Sequence, residues 1–410
     1  MFSGTLKVGA DVYLNLAKKR QKIQQLFIYN GIKPEQVDEI GAGNVLAIAG
    51  VNGEAGETVT SEPEKAFEEL RHIFEPVITK AIEVKKMADL PKLIDILRKV
   101  SKEDPSVKVT INEETGESLI SGMGELHLEI IENRIVTEKG LDVKTSSPIV
   151  VYRESIEKES PELEGRSPNK HNSFYMKVEP LETNIYEAIK SGEIPEGRVK
   201  KKNKELFDKF SELGWGGDTI RSIKDIYRRN VFLDQTRGEV RINEVIEMVV
   251  DAFEMVIDAG PLAREPCSKM KVSLMDTRIH EDPIHRGPAQ VYPAVREAIK
   301  ECMKKAGATI LEPIQIYVIE IPNLFLGAMT KLIGGKRGQM LEVKQEETGV
   351  EIKAKLPVAE MIGWSNDMRS ATEGRGNSSL ADQMFEKVPF NLQAEIIRNI
   401  RQRKGLSENQ

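Results

Sequence analysis

The 410-residue sequence predicts a multidomain α+β protein with a partial β-barrel, two βαββαβ modules of the ferredoxin-like kind and a central α/β region. Three observations predict this class. The chain is too long for one ordinary hydrophobic core. Short apolar segments broken by glycine fill about the first 60 residues. From about residue 68, strand-like and helix-like apolar patterns alternate in an order that recurs near the carboxy end.

Residues 1–67 have the glycine spacing of a β-barrel. The chain opens inside a predicted strand with no preceding hairpin partner. We therefore expect an incomplete barrel at the start of a carboxy-terminal portion of a longer protein. The glycines that separate its short apolar segments are Gly4, Gly9, Gly41, Gly43, Gly53 and Gly56.

Residues 68–143 form the first predicted βαββαβ module. After a first strand, a helix opens with Asp89 as its cap and Pro91 in its first turn. Two strands joined by a turn at Thr115–Gly116 follow, and a second helix begins after Gly124. A last strand completes the module.

The same order of elements is predicted for residues 312–386. Ile314, Ile316 and Val318 alternate as a strand, and a helix from about residue 324 to 332 follows. Gly334–Gly335 is expected to close this helix.

Residues 144–311, together with 387–410, make up the central region. Within it, a strand at about residues 271–279 leads through a loop to a helix expected to start at Pro293. The final helix, from about Leu392 to Arg403, is expected to pack back on this region.

The composition excludes several classes of protein. Hydrophobic residues make up 40% and charged residues 30%, and no apolar run is long enough to span a membrane. There is no amino-terminal signal pattern, and the two cysteines form no disulfide or metal framework, so we expect a cytoplasmic protein. A formal charge of −6 predicts that any RNA contact is local. The basic stretch Arg198–Lys204 is interpreted first as a solvated helix face, because acidic residues follow it.

Nucleotide chemistry is not predicted for this chain. It contains no Gly-x-x-x-x-Gly-Lys-Ser/Thr stretch, which would cradle phosphates and hold magnesium. The segment Gly334–Gly338 lacks that spacing and follows a helix rather than a strand. We expect neither GTP hydrolysis by this chain alone nor a cofactor or metal within it.

The most informative segment is His280–Gln290, which reads HEDPIHRGPAQ. Pro283, Gly287 and Pro288 predict a stiff, exposed loop. Its histidines could be ordinary solvated residues. A metal site of His280, Asp282 and His285 is a weaker alternative, because these residues lack the spacing of a helix face and no cysteine is near.

This stretch closely resembles the signature loop of the elongation factor 2 family, in which the histidine before Arg-Gly is converted to diphthamide. The resemblance places the modified residue at His285. Residues Ser167–Asn172 are similar to a second tip loop of the same domain, and Gly122–Glu129 resembles the helix start of the third domain. The residues Pro288–Ala289 are more similar to the archaeal version of the loop.

The resemblance implies the carboxy-terminal portion of a GTP-dependent ribosomal translocase. It implies that the central domain is elongated, with a ribosomal protein S5 domain 2-like fold, and that its tip contacts tRNA and mRNA in the decoding region. The tip residues besides His285 would be Asn169, Lys170, His171, His280, Asp282, Ile284, Arg286 and Gly287.

The family also implies partners and a cofactor outside this chain. The partners would be the rRNA of both ribosomal subunits, stalk-base proteins, diphthamide-synthesis enzymes and ADP-ribosylating toxins, with the protein itself monomeric. GTP and magnesium would bind the GTPase domain that this sequence lacks. The rival interpretations are a ribosome-rescue, recycling or spliceosomal relative, a free-standing RNA-binding module, and a metal-dependent enzyme that uses the tip histidines.

Overall fold

The computed structural model describes residues 1–53, 55–67, 75–111, 118–199, 204–236, 242–345 and 349–406. The chain forms two compact units, Met1–Ile149 and Val150–Gln410. The predicted turn at Thr115–Gly116 and residues 200–203 of the basic stretch lie outside the described residues. No helix in the described ranges is both long enough and apolar enough to cross a membrane.

The first part of unit 1 consists of short strands in three small sheets, ordered β1-β6, β3-β2-β8 and β5-β4-β7. Val12, Ile23, Leu26 and Ile40 form its buried core. Gly31 has a φ of +65° in the two-residue turn between β4 and β5, a backbone conformation that glycine adopts without strain. The strands are β1 Thr5–Lys7, β2 Asp11–Leu14, β3 Lys19–Lys22, β4 Gln25–Asn30, β5 Lys33–Val37, β6 Glu39–Gly41, β7 Ala47–Ala49 and β8 Val59–Thr60.

The second part of unit 1 has the element order β-α-β-β-α-β and the antiparallel sheet order β10-β11-β9-β12. Asp89 stands at the N-cap of α1, but it makes no side-chain capping bond. It already belongs to a 3-10 turn with helical backbone angles, so the prediction that Asp89 caps the helix through its side chain is wrong. The elements are β9 Ile78–Val84, α1 Leu90–Glu103, β10 Lys108–Ile111, β11 Ser118–Gly122, α2 Glu125–Thr137 and β12 Val143–Thr145.

Unit 2 contains a six-stranded sheet in the order β15-β16-β20-β19-β18-β17. All its neighbours are antiparallel except the parallel pair β19 and β20. Phe232 packs with α6 and α7 on one face, while Val231 and Leu233 pack with α3, α4 and α5 on the other. After β13 Ile149–Val150, the elements up to α7 are β14 Arg153–Ile156, β15 Leu163–Arg166, β16 Ser173–Pro180, α3 Thr183–Lys190, β17 Gly197–Arg198, α4 Lys204–Glu212, α5 Gly217–Ser222, β18 Ile223–Tyr227, β19 Asn230–Asp234, α6 Ile242–Asp258, β20 Met270–Arg278 and α7 Pro288–Lys305.

Helix α7 starts earlier than the sequence predicted. It begins at Pro288, directly after its N-cap Gly287, and Pro293 lies inside it. Proline fits the first helical position because that position needs no backbone donor, whereas Pro293 removes one hydrogen bond from the second turn. The expectation that Pro293 starts the helix is therefore wrong.

The carboxy-terminal part repeats the element order β-α-β-β-α-β, with the sheet order β24-β21-β23-β22. Gly334–Gly335 form the last two residues of α8 instead of following it. The expected domain boundary at residue 311 falls inside the continuous strand β21, whose first residues pair with β14. The elements are β21 Ala308–Ile321, α8 Leu326–Gly335, β22 Gln339–Gln345, β23 Val350–Pro357, α9 Trp364–Ala371, β24 Asn377–Lys387 and α10 Phe390–Arg403.

Helix α10 packs back on the central region, as the sequence predicted. Arg401 donates from its guanidinium to the carbonyl of Leu262 at 2.7 Å. Just beyond the helix, Lys404 donates to the carbonyl of Ala263 at 3.2 Å and lies 2.7 Å from the Glu265 carboxylate. The end of α10 is thereby held against the loop that precedes β20.

Candidate functional site

Two loops meet at one edge of the six-stranded sheet, and we call them together the tip. Strands β16 and β20 are antiparallel neighbours, with Ser173 opposite Arg278. The loop that enters β16, residues 167–172, therefore lies beside the loop that leaves β20, residues 279–287. Asn172 and His285 are 113 positions apart in the sequence. The pairing of β16 with β20 brings their two loops together here.

One buried side-chain amide joins the two loops. Asn172 is 1% exposed, and its Oδ1 accepts a hydrogen bond from the backbone N–H of His280 at 3.0 Å. Its Nδ2 donates to the backbone carbonyl of His285 at 2.7 Å. Asn169 donates from its own Nδ2 to the same carbonyl at 3.0 Å. The backbones of His280 and His285 are thus held by hydrogen bonds to the loop 167–172.

Three imidazole rings cluster at the tip. The ring centroids of His171 and His280 are 4.9 Å apart, those of His171 and His285 are 4.9 Å apart, and those of His280 and His285 are 4.7 Å apart. His171 is exposed, while His280 and His285 are half-buried. The structure brings together the three histidines that the family resemblance assigns to the tip.

A short 3-10 turn, Pro283–Arg286, presents His285. Asp282 caps this turn, since its Oδ1 accepts the backbone N–H of Ile284 at 3.0 Å. The backbone N–H of His285 donates to the carbonyl of Asp282 at 3.1 Å. Ile284 is 82% exposed at the outer side of the turn. The turn ends at Gly287, which is also the N-cap of α7.

Lys170 lies at the outer end of the first loop, exposed and with a φ of +62°. Its backbone N–H donates to the carbonyl of Ser167 at 2.7 Å, which closes a tight turn. A cation held on a turn of this kind can reach a phosphate without first ordering the loop.

Arg286 is not the exposed cation that we expected. Its side chain is 7% exposed, and its guanidinium lies 2.9 Å from the Glu244 carboxylate at the start of α6. A second, longer hydrogen bond of 3.3 Å goes to the carbonyl of Glu281. Because its guanidinium points into the protein, Arg286 supports the tip from beneath.

The tip does not have the geometry of a metal centre. No group of three or more His, Cys, Asp or Glu residues in the described part of the chain is arranged to hold a metal ion. At the tip itself, Nδ1 of His280 accepts the backbone N–H of Asp282 at 3.1 Å. That hydrogen bond occupies the lone pair through which Nδ1 would bind a metal.

Sequence reasoning missed two residues that shape the tip. Glu244 pairs with Arg286 from a different helix, and Gln290 accepts the backbone N–H of Asn169 through its Oε1 at 2.9 Å. Glu244 has no local sequence signal. Gln290 closes the HEDPIHRGPAQ stretch, so its position in the motif was the only available hint.

Comparisons with known proteins match nearly the whole chain in successive segments. The matching family models are Elongation factor Tu domain 2 over residues 1–60, Elongation Factor G domain III over residues 73–147, Elongation factor G domain IV over residues 189–307 and Elongation factor G C-terminus over residues 309–408. These four models define the class of the chain as a translation elongation factor.

Relatives named elongation factor 2 match from end to end. The relative from Nanoarchaeum equitans is 48% identical over 418 residues, covering 99% of this chain and 56% of that protein. The relative from Pyrococcus horikoshii is 48% identical over 410 residues, covering 100% of this chain and 56% of that protein. The relative from Methanopyrus kandleri is 50% identical over 410 residues, covering 99% of this chain and 32% of that protein. The chain belongs to the elongation factor 2 family, and it spans about half the length of the first two relatives.

Proposed function

We propose that this chain is the carboxy-terminal portion of a factor that catalyses GTP-dependent translocation of tRNA and mRNA on the ribosome. The observation that carries the proposal is the tip, where an immobilised loop presents His285 beside His171 and His280. A rigid element with exposed donors is suited to codon–anticodon RNA, which proteins recognise by shape, phosphate and 2′-hydroxyl contacts.

We infer that His285 is the diphthamide residue. Its backbone is fixed through its carbonyl, and its half-buried ring remains reachable from solvent. Diphthamide would extend this side chain and add a quaternary ammonium, a cation that attracts phosphate without donating a proton. In this proposal Lys170 contributes a second cation to the same surface, and Asp282 and Gly287 set the conformation of the loop.

The remaining parts of the chain would act as mechanical couplers. Both β-α-β-β-α-β parts are proposed to be ferredoxin-like, residues 1–67 to belong to a β-barrel, and the central region to be S5 domain 2-like. The first module would relay the nucleotide state, and the second would rest near the stalk base and large-subunit rRNA. GTP and magnesium would bind a GTPase domain in the part of the relatives that this chain does not span.

The partners follow from the same proposal. They are the rRNA of both subunits, stalk-base proteins, the tRNA–mRNA pair, diphthamide-synthesis enzymes and ADP-ribosylating toxins. The protein would work as a monomer in the cytoplasm, and its RNA contacts would be confined to the tip and a few other patches, because the net charge of −6 opposes a general nucleic-acid coat.

A toeprinting assay on pre-translocation ribosomes tests the proposal. The full-length protein with GTP should move the messenger by one codon, whereas a His285→Ala, Lys170→Ala double variant should move it more slowly by about tenfold or more. A matched control is Lys304→Ala, an exposed lysine at the far end of α7. Full-length protein that binds ribosomes but never shifts the toeprint would contradict the proposal and favour a rescue or recycling factor.

A further inference from the structure

We propose that Asn172 is a positioning residue that sets the orientation of His285 for chemical modification. This inference rests on the proposed function, because it concerns how the tip presents the residue to the modifying enzymes. It adds a role for a residue that itself carries no modification and contacts no RNA in the proposal, since Asn172 is 1% exposed.

The Asn172 side-chain amide has a defined direction. Its two ends face groups of opposite kind, the backbone N–H of His280 at 3.0 Å and the backbone carbonyl of His285 at 2.7 Å. Only one orientation satisfies both, with the oxygen towards His280 and the nitrogen towards His285. One planar side chain therefore spans both ends of the loop segment 280–285.

The backbone carbonyl of His285 accepts two hydrogen bonds. It accepts from Nδ2 of Asn172 at 2.7 Å and from Nδ2 of Asn169 at 3.0 Å. A carbonyl oxygen has two lone pairs, so these two donors use its full capacity. Because the backbone N–H of His285 is also bonded, to the carbonyl of Asp282, both peptide groups that flank its Cα are held. The direction of its Cα–Cβ bond is fixed as a result.

Asn172 is itself held by hydrogen bonds to Ser167. Its backbone N–H donates to Oγ of Ser167 at 2.9 Å, and its carbonyl accepts the backbone N–H of Ser167 at 2.9 Å. Asn169 is held in turn, since its Oδ1 accepts from the Ser167 hydroxyl at 2.6 Å. Buried, fully hydrogen-bonded networks of this kind hold one conformation because leaving any member unpaired is unfavourable.

The chemistry explains why orientation matters here. An enzyme that forms a bond to one ring atom of an imidazole needs that atom in line with its own reacting group, and small misplacements lower the rate by large factors. The clamp from Asn172 and Asn169 holds the backbone and leaves the ring free to be modified. The ring contacts of His285 with His171 and His280 are weaker constraints than these hydrogen bonds.

The test uses Asn172→Asp in the full-length protein, purified from its native cells. Aspartate has the same shape and keeps the acceptor for His280, but it places an oxygen against the His285 carbonyl. Two properties are measured, the modified fraction of His285 by peptide mass spectrometry and the hydrogen–deuterium exchange of residues 279–290. We expect the modified fraction to fall and the exchange to accelerate, each by about tenfold.

Two further variants keep the test decisive. Asn184→Asp is the matched control, because Asn184 also accepts from a backbone N–H and donates to a carbonyl, those of Ile185 and Leu213, away from the tip. It should change neither property. If Asn172→Asp lowers the melting temperature of the whole protein, the half-exposed Asn169→Asp decides, with changes of about threefold in the same direction.

Two outcomes would overturn the inference. One is a folded Asn172→Asp variant with the modified fraction and the loop exchange of the wild type. The other is faster exchange with an undiminished modified fraction, which would make Asn172 merely structural. Wild-type protein without modification would instead contradict the diphthamide proposal, and the inference would fall with it.

Discussion

Arg286 and Glu244 form an ion pair of 2.9 Å that joins the tip loop to the first turn of α6. Arg286 is 7% exposed and Glu244 is 57% exposed, so the pair lies at the inner boundary of the tip. The buried guanidinium of Arg286 is paired with the Glu244 carboxylate. The pair therefore couples the position of the loop to that of a core helix.

Replacing Arg286 with alanine should destabilise the central region. The variant loses the packing of a long buried side chain and leaves the Glu281 carbonyl without its donor, so we expect about 2–3 kcal/mol less free energy of unfolding. Urea denaturation measures this. Arg166→Ala is the control, because Arg166 is 65% exposed and its pair with Glu164 lies in solvent, where an ion pair adds little to stability. Equal losses in both variants would show that the Arg286 pair is a surface contact.

Lys170→Gln should weaken the salt dependence of ribosome binding. A lysine that neutralises one phosphate releases about one counterion, so the slope of log K against log salt should become shallower by about 1. Lys304→Gln, distant from the tip on α7, should leave the slope unchanged. An unchanged slope for Lys170→Gln would remove Lys170 from the proposed RNA contacts.

Asp225 should make the stability of unit 2 depend on pH. Burial, and then the charge of Glu254, raises the pKa of Asp225 from 3.8 to about 6. Between pH 3.8 and about 6, the Asp225 carboxyl is therefore protonated in the folded protein and ionised in the unfolded chain. The free energy of unfolding falls as the pH rises through this range and is constant above it.

Asp225→Asn removes this dependence. It should be more stable than the wild type by about 1–3 kcal/mol at pH 8, with the difference shrinking towards pH 4.5. Chemical denaturation across this range is the measurement, and Asp218→Asn, whose side chain is fully solvated, is the control. A constant difference at every pH would contradict the raised pKa.

Glu154→Gln should loosen the attachment of α10. The buried carboxylate of Glu154 accepts the backbone N–H groups of Leu262 at 2.7 Å, Ala263 at 2.8 Å and Glu265 at 3.0 Å. These bonds use both oxygens, so an amide in either orientation sets a donor against a donor. We expect a loss of about 2–3 kcal/mol.

The control for Glu154 lies three residues further along the chain. Glu157→Gln alters an exposed carboxylate paired with Lys387 at the surface and should cost about 0.5 kcal/mol or less. Thermal unfolding followed by limited proteolysis measures the temperature at which α10 is released in each variant. If both variants released α10 at the same temperature as the wild type, the Glu154 network would have no anchoring role.

Hydrophobic periodicity predicted the strands and helices, whereas the pairing of β16 with β20 determines which loops meet at the tip. The order of strands and helices in both β-α-β-β-α-β parts could be anticipated from local patterns. The start of α7 could not be anticipated, because Pro288 and Pro293 both fit the preference of proline for the first turn of a helix. Val291 is fully buried and extends the apolar face of the helix towards Pro288. The position of a proline alone therefore does not define the start of a helix where two prolines are close together.

The tip shows where sequence reasoning ends. The family resemblance named His285 and its neighbours, but Asn172 and His285 are 113 positions apart, and no local signal predicts the hydrogen bond between them. The same holds for Arg286, whose charge predicted exposure until Glu244 on another helix proved to be its partner. Contacts between residues far apart in the sequence depend on tertiary packing, which local propensity does not encode.

The most direct test of the central proposal is tandem mass spectrometry of the tryptic peptide Ile279–Arg286 from protein purified from its native cells. We expect additional mass localised to His285, with His280 unmodified in the same peptide. That result would support the diphthamide assignment and, with it, the translocase proposal. A peptide with no added mass on His285 would contradict the assignment and would favour a relative with another ribosomal task.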